Sequence, residues 1–250
     1  MRKSSVWLFA SVLAAFAACS DDDNKEQPQA ITTEEAAVMA SSSLASNSSG
    51  IAAASKESAD GAESVMDSNE SGRIKACGIS QNINLSGASP QGAAIMWNYD
   101  FSYKFLLNCT ADAPKSISVD LTYSGTYDGP RAKFDHEGAS QVEVTGLAKS
   151  DTDFVLDGTY KRSGSFAMKE GDKKAGSSNI DYTITAVKVD KDGHDIVAGT
   201  AKFVLKGTVS GKGDFTYEGN VTFTGNDRAE LAIKGETYIV NTVSGDVSKK

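Results

Sequence analysis

The two histidines and the acids beside them are the side chains best suited to acid–base or metal chemistry. His136 lies between Asp135 and Glu137, and either acid could orient it as a general base; the alternative is a solvated histidine in a loop. The segment 190–195, Asp-Lys-Asp-Gly-His-Asp, gathers oxygen ligands around a glycine, but the EF-hand spacing and its closing glutamate are missing. We interpret this segment as a turn, and we predict no catalytic residue, no metal site and no cofactor.

Motifs for nucleophilic catalysis and phosphate binding do not occur. The chain has neither a Gly-x-Ser-x-Gly elbow nor a glycine-rich phosphate loop. Its 33 aspartates and glutamates could supply a pair for glycoside hydrolysis, but sequence spacing does not show which of them meet in the fold.

Cys19 ends a segment that is typical of an exported protein. Arg2 and Lys3 precede an uncharged run, residues 4–18, that is too short to span a bilayer and closes with small residues. Residues 16–19, Phe-Ala-Ala-Cys, resemble the bacterial lipobox, with Phe16 where leucine is usual. The resemblance implies that residues 1–18 are removed as a signal peptide and that Cys19 carries acyl chains, palmitate among them, which anchor the protein to a membrane.

Residues 20–23, Ser-Asp-Asp-Asp, directly follow the lipidation site. Physically they begin a solvated acidic tether, residues 19–31. They also resemble the export signal of surface lipoproteins in Bacteroidetes. That resemblance implies an outer-membrane location with the protein exposed on the cell surface.

Cys77 and Cys109 are the cysteines that remain once Cys19 is assigned to lipid. A cysteine pair in an oxidising compartment is interpreted first as a disulfide. A two-cysteine metal site would need further ligands, and neither histidine lies near a cysteine in the sequence. We therefore predict a Cys77–Cys109 disulfide.

The charge balance argues against a nucleic-acid partner. The formal net charge is −8, and loss of Arg2 and Lys3 with the signal peptide would take it to −10. Binding to phosphate backbones needs clustered basic residues. The membrane, reached through the lipid anchor, is the partner that the sequence indicates.

Residues 32–72 form an Ala/Ser-rich segment that predicts helix. Thr32 and Glu35 have the spacing of a capping box, and a helix over about 33–46 follows from them. A second short helix is expected over 51–58. The segment is then either a partly ordered spacer or a small helical hairpin laid over the following domain.

Residues 73–250 are predicted to form an antiparallel β domain. Large apolar residues occupy every odd position from Ile95 to Leu107, and similar alternation recurs to the end of the chain. Short glycine- and asparagine-containing turns connect these segments. We expect an all-β meander of about nine or ten strands in a curved sheet, either a sandwich or a partly closed barrel.

Several segments of this domain are similar to a group of uncharacterised Bacteroidetes lipoproteins. They are Cys77-Gly78, the aromatic alternation that ends in residues 107–109, residues 156–164 and residues 217–226. The resemblance covers most of the mature chain and implies no particular activity.

Three functions remain open at this point. The leading hypothesis is a noncatalytic surface lipoprotein that binds a lipid or another apolar molecule between the sheet and the helices, or has a structural role. The alternative is a glycan-binding accessory lipoprotein, with Tyr127 in a turn or the aromatic stripe from Trp97 to Tyr103 as its platform; core packing is the simpler interpretation of that stripe. A hydrolase built on scattered carboxylates is the third.

Overall fold

One antiparallel sheet of eleven strands forms the body of the protein. The computed structural model describes residues 29–70 and 77–250. Each strand pairs with the next one along the chain, which confirms the predicted meander. The strands are β1 (Ser80–Ala88), β2 (Met96–Thr110), β3 (Ala113–Asp128), β4 (Ala132–Thr145), β5 (Asp153–Met168), β6 (Ala175–Asp190), β7 (Ile196–Val209), β8 (Gly213–Gly225), β9 (Arg228–Ile233), β10 (Glu236–Asn241) and β11 (Val247–Lys249).

The sheet is open, because β1 and β11 each have one neighbour and do not pair with each other. The count of eleven, rather than nine or ten, includes three-residue β11 at the end of the chain. Tight turns set the order of the strands. Asn226 and Asp227, like Lys234 and Gly235, have positive φ at both turn positions, as the two-residue turns of twisted hairpins require.

The strands bury one face and expose the other. In β2, Phe101, Tyr103 and Phe105 are buried, while the intervening Ser102 and Lys104 are exposed. This alternation, predicted from the sequence, extends across the sheet and gives it one aromatic face and one polar face.

Two helices lie against the aromatic face. Helix α1 (Thr33–Leu44) begins at the predicted capping box, in which the Thr32 side chain accepts a hydrogen bond from the Glu35 amide and Glu35 accepts one from the Thr32 amide. A 3-10 turn, Ser46–Ser48, leads into α2 (Ile51–Glu70). We call residues 29–70 the helical hairpin.

Helix α2 is much longer than the predicted segment 51–58. Ser58, Ala62 and Val65 follow one another at helical spacing and are buried, while Glu63 and Asp67 are exposed. This amphipathic pattern extends α2 beyond residue 58. The composition of residues 51–70 does not show this helical spacing, because acidic residues on the exposed face of α2 alternate with the small buried residues.

The sheet wraps around the hairpin. Every residue of α1 from Ala36 to Leu44 is buried. A helix buried on all sides needs protein all around it, so the sheet must curve. Accordingly, α2 contacts β2 to β7, and α1 contacts β9 to β11. The hairpin is therefore an internal element, and the partly ordered spacer is not what the structure has.

Gly61 lets α2 approach the sheet closely. A Cβ atom at this position would lie 2.1 Å from Cζ of Phe105. The Phe105 ring thus packs directly on the helix backbone. Small residues elsewhere in the hairpin permit the same close approach.

The predicted disulfide joins Cys77 to Cys109, with their Cα atoms 5.7 Å apart. It links the chain entering β1 to the end of β2. A β-bulge interrupts the pairing between Asn108 and Cys109, so the regular alternation that would turn the Cys109 sulfur inward stops there.

Residues 1–28, with Cys19 and the acidic tether as far as Pro28, lie outside the described residues. Neither described helix has the length and apolar character of a membrane-spanning helix.

Candidate functional site

Tyrosine hydroxyls on the aromatic face bind the backbone of the helical hairpin. Their donor–acceptor pairs are Tyr103 to Ala54 O (3.4 Å), Tyr160 to Ser49 O (2.7 Å), Tyr182 to Ala40 O (3.1 Å) and Tyr217 to Ile31 O (2.6 Å). Burial raises the pKa of Tyr160 to about 12 and raises that of Tyr103 well above its usual range, so these hydroxyls remain protonated donors. The side chains of the sheet therefore hold the hairpin by its backbone carbonyl groups.

Arg162 is a charged side chain at the centre of this interface. It lies in β5, next to the middle strand of the sheet, and only 6% of its surface is exposed. One guanidinium nitrogen, Nη1, donates to the carbonyl oxygens of Ser42 (3.1 Å) and Ser48 (3.3 Å). The guanidinium also lies 5.3 Å from the centre of the Phe134 ring. Within residues 29–70 and 77–250, no carboxylate forms an ion pair with Arg162.

Partial charges replace a counter-ion at Arg162. Ser42 is in the last turn of α1, which ends at Leu44, so its carbonyl is one of those that a helix C-terminus leaves unpaired. The negative end of the helix dipole attracts a cation. A buried ion without an opposite full charge nevertheless carries a desolvation cost of several kcal/mol. Among the described residues, Arg162 is the one lysine, arginine, aspartate or glutamate that is buried.

His136 is buried in β4 and does not lie in a loop, which corrects both interpretations made from the sequence. Only 4% of its surface is exposed, whereas Asp135 and Glu137 point to the opposite, exposed face of the strand. Neither acid can orient its imidazole, because neighbouring side chains alternate across a sheet. The sequence already indicates this burial: Phe134 and His136 are two positions apart and so lie on one face of a strand, whereas Asp135 and Glu137 lie on the other.

The partner of His136 is Arg162. Nδ1 of the histidine lies 2.8 Å from Nη2 of the arginine. Because a guanidinium only donates, Nδ1 must accept and Nε2 must carry the proton. Burial and then the positive charge of Arg162 lower the pKa of His136 to about 2, and the backbone carbonyl of Ser48 opposes this shift. The imidazole is neutral at physiological pH, so it can donate a hydrogen bond but hardly act as a base.

Two buried polar atoms near this pair have no hydrogen-bond partner among the described residues: Nε2 of His136 and Oγ of Ser49. Ser49 has a left-handed backbone, with φ 56°. A Cβ atom on Gly125 would lie 2.9 Å from Ser49 Oγ and 3.4 Å from His136 Nε2, so both atoms converge on Gly125. Unsatisfied buried polar groups are uncommon in proteins and need an explanation.

Little free space remains beside Arg162. A cavity of about 10 Å³ is lined there by Arg162, His136 and a set of apolar and serine side chains. The rest of that lining is Met39, Ser42, Ser43, Phe134, Ser163, Gly164, Ser165, Ser178, Ile180 and Leu205. Such a volume holds about one water molecule. A lipid would fit on the aromatic face only where the hairpin now lies.

A wider groove of about 360 Å³ opens at the start of α1. Its charged groups are paired with one another: Arg131 contacts Glu34 (2.6 Å) and Glu170 (2.9 Å), and Lys174 contacts Glu35 (2.8 Å). These ion pairs attach α1 to the turns between strands, and they leave the groove without a concentrated charge for a ligand.

The segment 190–195 forms a turn, as predicted. The Asp190 carboxylate accepts hydrogen bonds from the amides of Asp192 (3.1 Å), Gly193 (2.7 Å) and Asp195 (3.1 Å). These bonds, led by that of Gly193, lower the pKa of Asp190. Its carboxylate therefore organises the turn itself. In the described ranges, no group of three or more His, Cys, Asp or Glu side chains is arranged to hold a metal ion.

His194 contacts helix α2 from this turn. Its Nδ1 pairs with Asp60, and its Nε2 lies 3.3 Å from a carboxylate oxygen of Glu63. Glu57 lies near the same acids, and burial followed by the charge of Asp60 raises its pKa. This cluster ties α2 to the connection between β6 and β7.

Tyr127, the turn tyrosine considered as a sugar platform, is instead buried in β3 and 5% exposed. Its hydroxyl donates to the Ser244 carbonyl at 2.9 Å. The half-exposed aromatic pair is Trp97 and Tyr99 in β2, whose rings stack with centroids 5.6 Å apart and planes 7° apart. The rest of the stripe, from Phe101 onward, is core.

The helical hairpin, the aromatic face and the Arg162–His136 pair together define the candidate site. Comparisons of this chain with protein-family models, with curated proteins and with solved structures give no match.

Proposed function

We propose that the protein is a noncatalytic lipoprotein of the outer membrane, anchored through Cys19 and exposed on the cell surface, that binds an apolar ligand on the aromatic face of its sheet. The hairpin now covers that face. In this proposal the hairpin is a plug that the ligand displaces.

The observation that carries the proposal is the kind of contact between plug and sheet. The sheet contributes large rings, such as Tyr103, Phe105 and Phe203, whereas the hairpin contributes mainly alanines and serines. Small side chains bury little apolar area, and apolar burial contributes roughly 25 cal/mol per Å². Because the rings are already buried, the advantage of a ligand lies in its own surface: a long alkyl chain brings more apolar area to the rings than alanine and serine side chains do.

The hydrogen bonds at the interface favour the same interpretation. The tyrosine hydroxyls donate to main-chain carbonyls of the hairpin. The same hydroxyls can bind water or polar groups of a ligand once the hairpin moves. Displacement then leaves few polar groups buried without partners.

Native mass spectrometry tests ligand binding directly. The mature chain would be expressed in the periplasm as a Cys19→Ser variant, which removes the acyl anchor but keeps Cys77 and Cys109. We expect a copurifying lipid mass, or an added mass after incubation with long-chain lipids. A protein that stays at its unliganded mass in both cases would instead support a structural role.

Hydrogen exchange tests whether the plug moves. When a bound lipid displaces the hairpin, amides in α1 and α2 should exchange faster while those of β3 to β8 keep their protection. Unchanged exchange of the α1 and α2 amides in the presence of bound lipid would contradict the plug model.

The anchor has its own test. Labelled palmitate should be incorporated into the wild-type chain and not into Cys19→Ser, and only the wild type should sediment with outer membranes. Protease added to intact cells should degrade the wild-type protein if it is surface-exposed.

Glycan binding is the second candidate function, and the Trp97–Tyr99 stack supports it. Two nearly parallel, half-exposed rings offer an apolar surface of the kind on which sugar rings can pack. Titration of oligosaccharides against the wild type and a Trp97→Ala variant would test this function. Binding that is unchanged in the variant would remove this platform from consideration.

A further inference from the structure

We propose that the ligand of the aromatic face is an anionic, single-chain amphiphile whose carboxylate pairs with Arg162 in place of the Ser42 and Ser48 carbonyls. The inference rests on the proposed function, and it adds the chemical class of the ligand.

The charge of Arg162 is the first argument. It is a full positive charge, almost wholly buried, and its described partners are carbonyl, hydroxyl and imidazole groups without a net negative charge. The planar guanidinium binds a carboxylate through two parallel hydrogen bonds, which are stronger than bonds to neutral carbonyls. A carboxylate would therefore satisfy Arg162 better than the hairpin does.

The neighbouring donors are the second argument. Nε2 of His136 must carry a proton and forms no hydrogen bond of normal geometry, although the Ser48 carbonyl lies near the imidazole, and the Ser49 hydroxyl also has no described partner. The structure thus holds a cation and two unused polar groups within one region of the interface. An anion with several lone pairs is the ligand chemistry that these groups can recognise together.

The surroundings of the cation select an amphiphile over a free anion. On the sheet side, Ile180 and Leu205 line the cavity beside the guanidinium. The Phe134 ring, 5.3 Å from the guanidinium, lines the same cavity. A small hydrated anion would gain nothing from these apolar groups, whereas an alkyl chain attached to the carboxylate would bury area against them.

The position of Arg162 explains how such a ligand would displace the plug. The guanidinium binds the last turn of α1 through Ser42 and the 3-10 turn through Ser48. A carboxylate that takes both hydrogen bonds removes the contact between Arg162 and the bend of the hairpin. The alkyl chain then occupies the adjoining part of the aromatic face.

The first test leaves Arg162 and its surroundings unchanged. Dodecanoate and its methyl ester have the same chain, but only the acid carries a charge, so their affinities are compared by native mass spectrometry at neutral pH with the Cys19→Ser chain. We expect dodecanoate to bind roughly 10- to 100-fold more tightly than the ester, as a charge-assisted pair would give. Equal binding of the two would overturn the role of Arg162 but leave apolar ligand binding intact, and failure of both to bind would reject the proposed function itself.

The Arg162→Gln variant gives the second test, with Arg228→Gln, at an exposed arginine in β9, as its matched control. Arg162→Gln should reduce the affinity for dodecanoate to that for the ester, and Arg228→Gln should leave both unchanged. Circular dichroism and the melting temperature establish that each variant is folded; if Arg162→Gln does not fold, the comparison of acid with ester still decides.

Acetate and inorganic phosphate distinguish the source of the anion. If the ligand is an amphiphile, neither should compete with dodecanoate at millimolar concentration. Competition by either small anion at concentrations near that of dodecanoate would show a free-anion site and would overturn the proposal.

Discussion

Arg162 and His136 show how a buried polar pair depends on its surroundings. Carbonyl oxygens at the end of α1 accept hydrogen bonds from the arginine, and the histidine is held neutral because burial and the charge of Arg162 both disfavour its protonation. The neutral state of the histidine can be measured in the folding equilibrium.

The neutral state of His136 predicts how stability depends on pH. The unfolded histidine takes up a proton below about pH 6.5, whereas the folded one does so only near its pKa of about 2. More protons are bound by the unfolded state between these values, so the free energy of unfolding should fall as the pH decreases below about 6.5, by up to about 1.4 kcal/mol per pH unit.

Urea denaturation at pH 7.5, 6.5 and 5.5 measures this slope. The difference between the wild type and His136→Gln isolates the contribution of His136, since other titrating groups such as Glu57 cancel. The His194→Gln variant removes the other histidine and should retain the contribution. Parallel pH profiles of wild type and His136→Gln would contradict the burial of a neutral imidazole.

Tyr182 tests the hydrogen bonds that hold the hairpin. Its hydroxyl lies 3.1 Å from the Ala40 carbonyl and 2.8 Å from Oγ of Ser43. Tyr182→Phe should lower the free energy of unfolding by about 1 to 2 kcal/mol, because it removes the donor and leaves a buried carbonyl less well satisfied. Tyr99→Phe, at a half-exposed ring, is the control and should change stability little.

At the scale of the element, the position of α2 depends on the missing side chain at Gly61. Gly61 has no side chain, so the helix backbone comes into contact with the Phe105 ring. Glycine within a helix costs about 1 kcal/mol relative to alanine. The close contact with the aromatic face explains why a residue unfavourable for helix formation lies in this helix.

Gly61→Ala should destabilise the protein although alanine favours helix. The added Cβ would lie 2.1 Å from Phe105 Cζ, and overpacking of this kind costs about 1 to 3 kcal/mol. Chemical denaturation of Gly61→Ala, Phe105→Leu and the double variant forms a thermodynamic cycle. We expect the smaller Leu side chain to relieve part of the cost; a stabilised Gly61→Ala single variant would show that α2 does not pack on Phe105.

The disulfide acts on the connection between elements. It closes a loop between residues 32 apart in the sequence, which the chain-entropy model values at about 3 to 4 kcal/mol. Replacing both Cys77 and Cys109 by Ser should reduce the free energy of unfolding by this order, as should chemical reduction of the wild type. The Cys19→Ser chain, with the bond intact, is the control; an unchanged stability after reduction would show that the loop is not closed in solution.

At the scale of the whole molecule, the fold encloses its own helices. The open sheet and the helical hairpin share one core, which includes residues from Ile31 near the start of the hairpin to Val240 in β10. The polar face of the sheet remains outside. A ligand on the aromatic face must therefore exchange with the hairpin, and binding at this site is inseparable from movement of the N-terminal segment.

The sequence by itself determined the features that local rules encode. The period of two in apolar residues specifies strands with one buried face, short turns specify their antiparallel order, the Thr32–Glu35 pair starts α1, and the cysteine pair specifies the disulfide. The tertiary structure decided what requires distant residues to meet. Arg162 reaches Ser42 across 120 positions and His136 across 26, and no local pattern reports such separations. Contacts between distant parts of the chain also decide where α2 ends, why Tyr127 is buried and why the sheet stays open. Each of these features depends on which surfaces pack together and exclude water once the chain has folded.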